Sequence, residues 1–187
     1  MIELGRIDMI TEFSLLSSFI ASPRHGHLEA VFHIFAYLDK KHKAWMAFDP
    51  TYPDIDMSVF KTCECKEFYR QAKFTVPPDA PPTLGKEVDI CLYMDSDHTG
   101  NKATRSSHTD YSIFLNSALI IWFSKRQPTV KTSVFGAEFV AMKNGTEAFR
   151  GLCYKLKMMG VPLSGPSFAF GDNLLVIYNP QQPESVL

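Results

Sequence analysis

Residues 88–178 contain an ordered succession of patterns that few folds accommodate: three strand patterns, one long helical pattern, a short strand pattern and a short helical pattern. The three strand patterns are Val88–Met94, Tyr111–Leu115 and Leu119–Phe123, which are rich in apolar, aromatic and β-branched side chains. A short polar break at Asn116-Ser117 separates the last two, which is typical of a hairpin. Strands combined with a long helix in this order predict an α/β domain.

The longest helical pattern runs from Ser133 to about Met159 without a proline, and Gly160 and Pro162 follow its end. One side of this helix carries apolar residues that we expect in the core: Phe135, Phe139, Met142, Ala148 or Phe149, Leu152 and Leu156. A short strand pattern then covers residues 168–170. Asp172-Asn173 resembles the cap of a last helix, from Leu174 to Tyr178.

Three acidic residues lie next to or within predicted elements in a way that can bring them together. Asp95 follows the first strand pattern, Glu138 lies in the first turns of the long helix, and Asp172 follows the fourth strand pattern. If the first and fourth strands are parallel neighbours, their carboxyl ends lie side by side, and a helix crossing over them can add Glu138. Three close carboxylates repel one another unless hard divalent cations neutralise them. Two such ions roughly 4 Å apart can promote phosphodiester hydrolysis, so the spacing indicates a candidate metal site.

The sequence before residue 88 shows helical and proline-rich patterns in place of strand patterns. Residues from about 7 to 41 predict two helices that are interrupted at Ser22-Pro23. The second helix carries an apolar stripe that we expect to pack on another element: Leu28, Val31, Phe32, Phe35 and Leu38. Six prolines punctuate residues 49–87, which predicts a connector with at most one short helix near residues 60–69. We therefore divide the chain into a helical segment (1–48), a connector (49–87) and an α/β domain (88–187).

Composition limits the function only weakly. The formal net charge of −1 is no evidence for nucleic-acid binding, so such evidence must come from a local basic patch. Four residues around the end of the hairpin and on the long helix are candidates for contacts to phosphates, although a solvated face explains them equally well: Lys125, Arg126, Lys131 and Lys143.

The four cysteines are too few and too scattered for a disulfide framework, and Cys63-x-Cys65 lacks the second pair that a zinc site needs, so we expect reduced thiols. Membrane-length apolar runs of roughly 20 residues and a signal-peptide pattern are both missing from the sequence. We therefore expect no membrane partner and an intracellular location, cytoplasmic or nuclear.

Four sequence blocks resemble the ribonuclease H domain of copia-type retrotransposon Pol polyproteins. Residues 94–100 (MDSDHTG), with Thr104-Arg105, are similar to the opening motif of that domain. Residues 121–130 (IWFSKRQPTV) are similar to its tryptophan-serine-lysine-lysine-glutamine segment, and residues 133–142 match its serine-rich turn before Ala-Glu-aromatic. Gly171-Asp172-Asn173 resembles a later aspartate-asparagine motif.

Upstream blocks extend this resemblance over nearly the whole chain. Residues 5–8, 15–17, 22–27 and 48–50 are similar to the segment that links the polymerase thumb to ribonuclease H. The resemblance implies a ribonuclease H-like mixed sheet after a two-helix thumb or connection segment. It also implies Asp95, Glu138 and Asp172 as catalytic metal ligands, Mg²⁺ or Mn²⁺ as the cofactor, and an RNA/DNA hybrid as the substrate. The remainder of a Pol polyprotein would be a partner.

The chain also departs from this family. It has Asp110 where the family usually has glycine and Ser106 where a second arginine is usual, so no family role is transferred to either. It ends at Leu187, before the expected fifth strand and the helix with a fourth acidic residue, and it lacks the paired aspartates of the polymerase. We therefore expect an incomplete sheet, impaired hydrolysis and no polymerase site. The alternative is an inactive remnant that at most binds nucleic acid.

Several residues permit two interpretations. Asp97 is either a second ligand beside Asp95 or a solvent-facing turn residue, and Trp122 either stacks on a base or packs in the core. Two-residue spacing places His25 and His27 on different helix faces. For these two, and for His33 and His42, ordinary surface or core positions are favoured over metal binding, whereas His98 and His108 stay open.

Overall fold

The computed structural model describes residues 6–60, 76–101, 105–165 and 167–179, and it combines four helices with one four-stranded mixed sheet. The helices are α1 (Ile10–Ser17), α2 (His25–Lys40), α3 (Val134–Met158) and α4 (Leu174–Tyr178), and the strands are β1 (Ile90–Asn101), β2 (Ser106–Leu115), β3 (Ala118–Arg126) and β4 (Phe168–Phe170). Short 3-10 turns occur at Ile7–Met9 and Met57–Val59. The α/β prediction is confirmed.

The sheet has the order β3-β2-β1-β4. β2 is antiparallel to both β1 and β3, whereas β4 is parallel to β1. The predicted hairpin is confirmed, and its loop is Asn116-Ser117, where Asn116 has a φ of 54° that asparagine tolerates better than most residues. The parallel pairing of the first and fourth strands, on which the metal-site hypothesis depends, is present.

β1 is longer than its apolar pattern predicts. We expected the strand to end at Asp95 and a turn to follow, but β1 continues to Asn101. The pairing with β2 explains the difference, because Asp95, Ser96 and Asp97 lie opposite Asp110, Thr109 and His108. Backbone hydrogen bonds to a neighbour can therefore sustain a strand through polar residues that an apolar pattern treats as its end.

α3 packs across one face of the sheet and encloses the core. The core consists of buried residues from β1, β2 and the second half of α3: Ile90, Leu92, Ile113, Cys153 and Leu156. Phe149 and Leu152 pack against this cluster as expected. In the first half of the helix the buried positions are instead small, at Ala137, Ala141 and Gly145, beside Glu138.

The expectation of a core made of the large residues was thus wrong for the first half of α3. Phe135, Phe139 and Met142 are only partly buried, and the rings of the two phenylalanines stack on each other with centroids 6.0 Å apart. A large side chain on the buried face would hold the helix away from the sheet. An added Cβ on Gly145 would already lie 3.3 Å from Leu92 Cδ1.

The predicted ends of α3 and α4 are confirmed. The Ser133 Oγ accepts a hydrogen bond from the Gly136 amide at the start of α3. Gly160 follows its end with a φ of 74°, and an added Cβ there would lie 2.9 Å from the Pro82 carbonyl oxygen. The Asn173 Oδ1 accepts from the amides of Leu175 and Val176 and caps α4.

α1 and α2 form the two predicted N-terminal helices. The apolar stripe of α2 does not pack as we expected: Leu28 is 51%, Phe32 60% and Phe35 59% exposed. Parts of both helices instead line an open apolar cavity of about 430 Å³. Periodicity defines the apolar side of a helix, but it does not ensure that the described chain supplies something to cover that side.

The expected short helix near residues 60–69 lies almost wholly outside the described residues, as do Cys63 and Cys65. Cys91 and Cys153 are free and buried, in agreement with the expectation of reduced thiols at these two positions. Among the described residues, every helix is too short or too polar to cross a membrane.

Candidate metal centre

Asp95 lies on β1, the strand between β2 and β4, so both neighbours determine its surroundings. Its Oδ1 accepts a hydrogen bond of 2.7 Å from the Ser96 amide, which fixes the orientation of the carboxylate. Successive residues of a strand point to opposite faces. Ser96 therefore faces α3, while Asp95 and Asp97 project on the side of the sheet where Asp110 lies opposite.

Asp172 reaches the same place through the parallel pairing of β4. Tyr93 pairs with Phe170. Asp95 lies two positions after Tyr93, and Asp172 lies two positions after Phe170. The two aspartates therefore lie side by side. An added Cβ on the intervening Gly171 would lie in ordinary van der Waals contact, 3.8 Å from Met94 Cγ and Cε.

Glu138 comes from the second turn of α3, above the same strands. It is 8% exposed, and small residues beside it, Ala137 and Ala141, are fully buried. These small residues allow the start of the helix to lie close to the sheet.

The three predicted carboxylates converge. Asp95, Glu138 and Asp172 each offer an oxygen, and these atoms all lie within 4.8 Å of one another, with Glu138 buried and the two aspartates exposed. In the described part of the chain this is the group of acidic, histidine and cysteine side chains that could hold a metal ion. We call these residues the acid trio.

Glu138 shows the electrostatic cost of this arrangement. Its pKa is raised from 4.5 to about 7, mainly by burial; the charges of Asp95 and Asp172 act in the same direction, whereas the neighbouring Ser96 opposes the shift. Among the described residues, no lysine or arginine forms an ion pair with the acid trio. A proton on Glu138 or a bound cation would relieve this repulsion.

Oxygen ligands of this kind suit Mg²⁺ and Mn²⁺. Both are hard cations that prefer carboxylate, carbonyl and water oxygens. The donor set of the acid trio consists of carboxylate oxygens only. The trio therefore fits the cofactor that its sequence motifs imply.

The side of the sheet around Asp95 is open and mixed in character. A cavity there is lined by Asp95, Asp97 and Asp110 together with aromatic side chains, among them Tyr93 and Trp122. Trp122 is partly buried and faces this cavity, so it is not part of the core cluster between sheet and α3. Asp97 is exposed, but it lies on β1 and not in the turn that we expected.

The predicted phosphate contacts do not lie on one surface. Lys125 and Arg126 are consecutive residues at the exposed end of β3, so their side chains leave opposite faces of the sheet. Lys131 precedes α3. Lys143 lies on the exposed side of α3, with its Nζ 3.8 Å from Glu147 Oε1. These four positions stay a prediction for nucleic-acid contact.

Four of the six histidines have ordinary local partners. His27 stacks on Phe19 with centroids 4.1 Å apart, and its Nδ1 accepts from the Arg24 amide. His25 lies 3.3 Å from Glu29, and His42 Nδ1 lies 2.9 Å from the Asp39 carbonyl oxygen. His98 Nδ1 lies 3.5 Å from Ser107 Oγ.

Two residues next to the trio were not among the predicted site residues, although Gln127 is the glutamine of the matched block 121–130. Gln127 is 2% exposed, and its Nε2 donates to Thr109 Oγ1 at 3.1 Å and to the Ala137 carbonyl at 3.0 Å. It therefore ties the end of β3 to the turn of α3 that carries Glu138. In the sequence, Asp110 is notable only because it replaces the usual family glycine. In the structure, cross-strand pairing places it directly opposite Asp95.

Comparison with known proteins gives relatives for half of the chain. It is 29% identical over 94 residues to the retrovirus-related Pol polyproteins from transposons RE1 and RE2 of Arabidopsis thaliana, and this match covers 50% of the chain but only 6% of each polyprotein. It is 31% identical over 94 residues to an uncharacterized mitochondrial protein of Arabidopsis thaliana, of which it covers 36%.

No family model and no solved structure matches the chain. The curated relatives nevertheless confirm the resemblance of the chain to a retrotransposon Pol polyprotein. Over half of its length, this chain is similar to retrovirus-related Pol polyproteins from transposons.

Proposed function

We propose that residues 88–179 form a ribonuclease H-like domain that hydrolyses the RNA strand of RNA/DNA hybrids with the help of two divalent cations. The observation that carries this proposal is the convergence of Asp95, Glu138 and Asp172, whose carboxylate oxygens lie within 4.8 Å of one another. Bound Mg²⁺ or Mn²⁺ ions would supply activation of a water molecule and stabilisation of the charge on the leaving oxygen.

The arrangement of elements supports the proposal. A mixed sheet with one parallel and two antiparallel pairings, covered on one face by a long helix, is compatible with a ribonuclease H-like fold. The names of the relatives RE1 and RE2 point to Pol polyproteins. Together with the sequence blocks around all three acids, these findings favour nucleic-acid chemistry over other uses of a carboxylate cluster.

The residues of this chain have separate tasks in the proposed reaction. Asp95, Glu138 and Asp172 would hold the cations, and the Ser96 amide keeps the Asp95 carboxylate oriented. Glu138 would lose its proton when a cation arrives, because the cation neutralises the repulsion that helps to raise its pKa to about 7. Contacts to the phosphates of the hybrid stay a prediction for Lys125, Arg126, Lys131 and Lys143, which lie on more than one surface.

A hybrid-cleavage assay with the full chain tests the proposal. The substrate is an end-labelled RNA annealed to DNA, incubated with Mg²⁺ or Mn²⁺, and the matched RNA and DNA duplexes serve as substrate controls. We expect cleavage of the hybrid alone. Glu138→Gln should reduce the rate at least about 100-fold, because metal ligands contribute several kcal/mol to such a transition state.

Glu147→Gln is the matched variant, since it removes one carboxylate from an exposed position on the same helix. It should cleave like the wild type. Absence of cleavage by the wild type at high protein concentration, or equal cleavage by Glu138→Gln, would contradict the proposal. Binding of the hybrid without cleavage would instead favour an inactive nucleic-acid-binding module.

A further inference from the structure

The end of α2 and the segment after it bring basic and aromatic side chains together. Four consecutive exposed residues close the helix and form the turn that follows: Lys40, Lys41, His42 and Lys43. Trp45 lies two residues further on, and it is 87% exposed. The Cα atoms of Lys41 and Trp45 are at most about 14 Å apart, even in a fully extended chain. We call these five residues the basic-aromatic surface.

The lysines of this surface are available to an anionic partner. Among the described residues, Lys40, Lys41 and Lys43 form no ion pair. They line a cavity of about 340 Å³ together with one acid, Asp8. The carboxylate of Asp8 is already paired, because both of its oxygens accept hydrogen bonds from Arg6, at 3.0 and 2.9 Å. The cavity therefore keeps a positive charge.

Hydrogen bonds fix the backbone of the basic-aromatic surface. The Arg6 Nη1 donates to the Lys41 carbonyl oxygen at 3.1 Å, and the Tyr37 hydroxyl donates to Asp8 Oδ2 at 2.8 Å. The Lys41 amide in turn donates to the Tyr37 carbonyl oxygen at 2.8 Å. These contacts tie the turn after α2 to the 3-10 turn Ile7–Met9. A backbone that is ordered before binding lowers the entropic cost of binding.

The exposure of Trp45 is not explained by the fold. Tryptophan is highly buried on average in folded proteins, whereas Trp45 is 87% exposed and Phe48, three residues further on, is 65% exposed. The favourable interaction of a basic residue with the helix dipole explains Lys40 in the last turn of α2, but it does not explain an open indole beside it. An accessible ring of this kind can stack on a planar group.

The combination of lysines and an open aromatic ring is typical of surfaces that bind single-stranded nucleic acid. Such surfaces hold phosphates with basic residues, and unpaired bases stack on their aromatic rings. A lipid surface is instead bound by an amphipathic helix with a continuous apolar face. Residues 44–50 form neither helix nor strand, and the lysines line a concave site, so the geometry favours nucleic acid.

We propose that Lys40, Lys41 and Lys43 bind the phosphates of single-stranded RNA or DNA while Trp45 stacks on one of its bases. Phosphates and the flat faces of bases are common to RNA and DNA, so the surface should accept both. None of its residues belongs to the acid trio. The proposal therefore does not depend on hydrolysis of a hybrid.

Tryptophan fluorescence tests the proposal. The sequence has two tryptophans, so Trp122→Phe leaves Trp45 as the only one that reports. Oligouridylate or oligodeoxythymidylate of roughly 12 nucleotides, within the usual site size of such surfaces, is titrated into this full-chain variant. A chelator is present to prevent metal-dependent cleavage, which makes the result independent of the hybrid-cleavage assay. We expect saturable quenching of the Trp45 emission by both oligomers.

Two double variants in the Trp122→Phe background test the lysines. Lys41→Ala with Lys43→Ala should weaken binding at least about tenfold at low salt. It should also reduce the slope of log K against log salt by about 1.4, since each phosphate contact to a single strand contributes about 0.7. Lys86→Ala with Lys155→Ala is the matched control, because it removes the same charge from two other exposed lysines, and it should bind like its parent.

Trp45→Ala in the wild-type background gives a measurement that does not depend on the folding of Trp122→Phe. Its affinity for a fluorescently labelled oligomer, measured by anisotropy, should fall at least about fivefold because stacking on one base is lost. The proposal is overturned if neither oligomer quenches Trp45, if Trp45→Ala binds like the wild type, or if the two lysine double variants weaken binding equally. A blue shift of the Trp45 emission with phosphatidylserine vesicles, without quenching by the oligomers, would assign the surface to a lipid and overturn the proposal too.

Discussion

Glu138 is a buried carboxyl group that faces two other acids, so its charge state reports directly on the site. Its pKa is raised from 4.5 to about 7, with burial as the main cause. Below pH 4.5 the group is protonated in both folded and unfolded chains. Between pH 4.5 and 7 the unfolded chain ionises first, so this group lowers the stability as the pH rises. Above pH 7 its unfavourable contribution is constant.

Replacement of Glu138 by glutamine should therefore stabilise the metal-free protein at high pH. We expect the free energy of unfolding of Glu138→Gln to exceed that of the wild type by about 1–2 kcal/mol at pH 8, after allowance for solvent screening. The difference should nearly vanish at pH 4. Urea unfolding in the presence of a chelator measures both values. An equal difference at the two pH values would show that the charge of Glu138 is not responsible.

The individual acids of the trio could be predicted from sequence, whereas their neighbours could not. Asp95, Glu138 and Asp172 lie in motifs and at positions where patterned elements begin or end. Asp110 and His108 lie near the site only because β2 pairs with β1, and this pairing places them opposite Asp95 and Asp97. That register is a property of two strands together, and neither strand reveals it alone.

At the scale of elements, the site depends on how closely α3 approaches the sheet. Its buried face is formed by Ala137, Ala141 and Gly145, and an added Cβ on Gly145 would lie 3.3 Å from Leu92 Cδ1 and 3.6 Å from Tyr111 Cβ. A larger side chain at this position must push the helix outwards. Glu138 lies two turns earlier on the same helix, so it would move away from Asp95 and Asp172.

Gly145→Val should therefore destabilise the protein by about 1–3 kcal/mol, the usual cost of overpacking. Gly151 is the matched control on α3, because nothing lies within 4 Å of an added Cβ there. Gly151→Ala should stabilise the protein by about 0.5–1 kcal/mol through higher helix propensity. Thermal unfolding of both variants measures their stabilities relative to the wild type. A Gly145→Val variant as stable as the wild type would refute the close approach of α3 to the sheet.

Helix and strand patterns predicted most elements but not their detailed packing. α3 lies within one residue of its predicted bounds, because Ser133 and Gly160 mark its ends chemically. The large residues Phe135 and Phe139 nevertheless lie outside the core, since the close approach of the helix leaves room only for small side chains there. The length of β1 was underestimated because a paired neighbour, and not apolarity, maintains it beyond Asp95.

At the scale of the whole molecule, the trio joins three parts of the chain that are far apart in sequence. The parallel pairing of β1 with β4 and the crossing of α3 bring them together, and both were expected from the order of elements. The exposed apolar face of α2 was not expected. A periodic stripe predicts which side of a helix is apolar, but its burial depends on a neighbouring surface that the stripe does not encode.

The central claim is that Asp95, Glu138 and Asp172 together bind a hard divalent cation. Isothermal titration of Mg²⁺ into the wild-type chain at pH 6.5, in two buffers of different ionisation enthalpy, measures both affinity and proton release. We predict saturable binding with release of most of one proton, because the cation displaces the proton that Glu138 holds below its pKa of about 7. Glu138→Gln should release none and bind at least about tenfold more weakly. Equal binding by the two proteins, or no binding by the wild type, would contradict the claim.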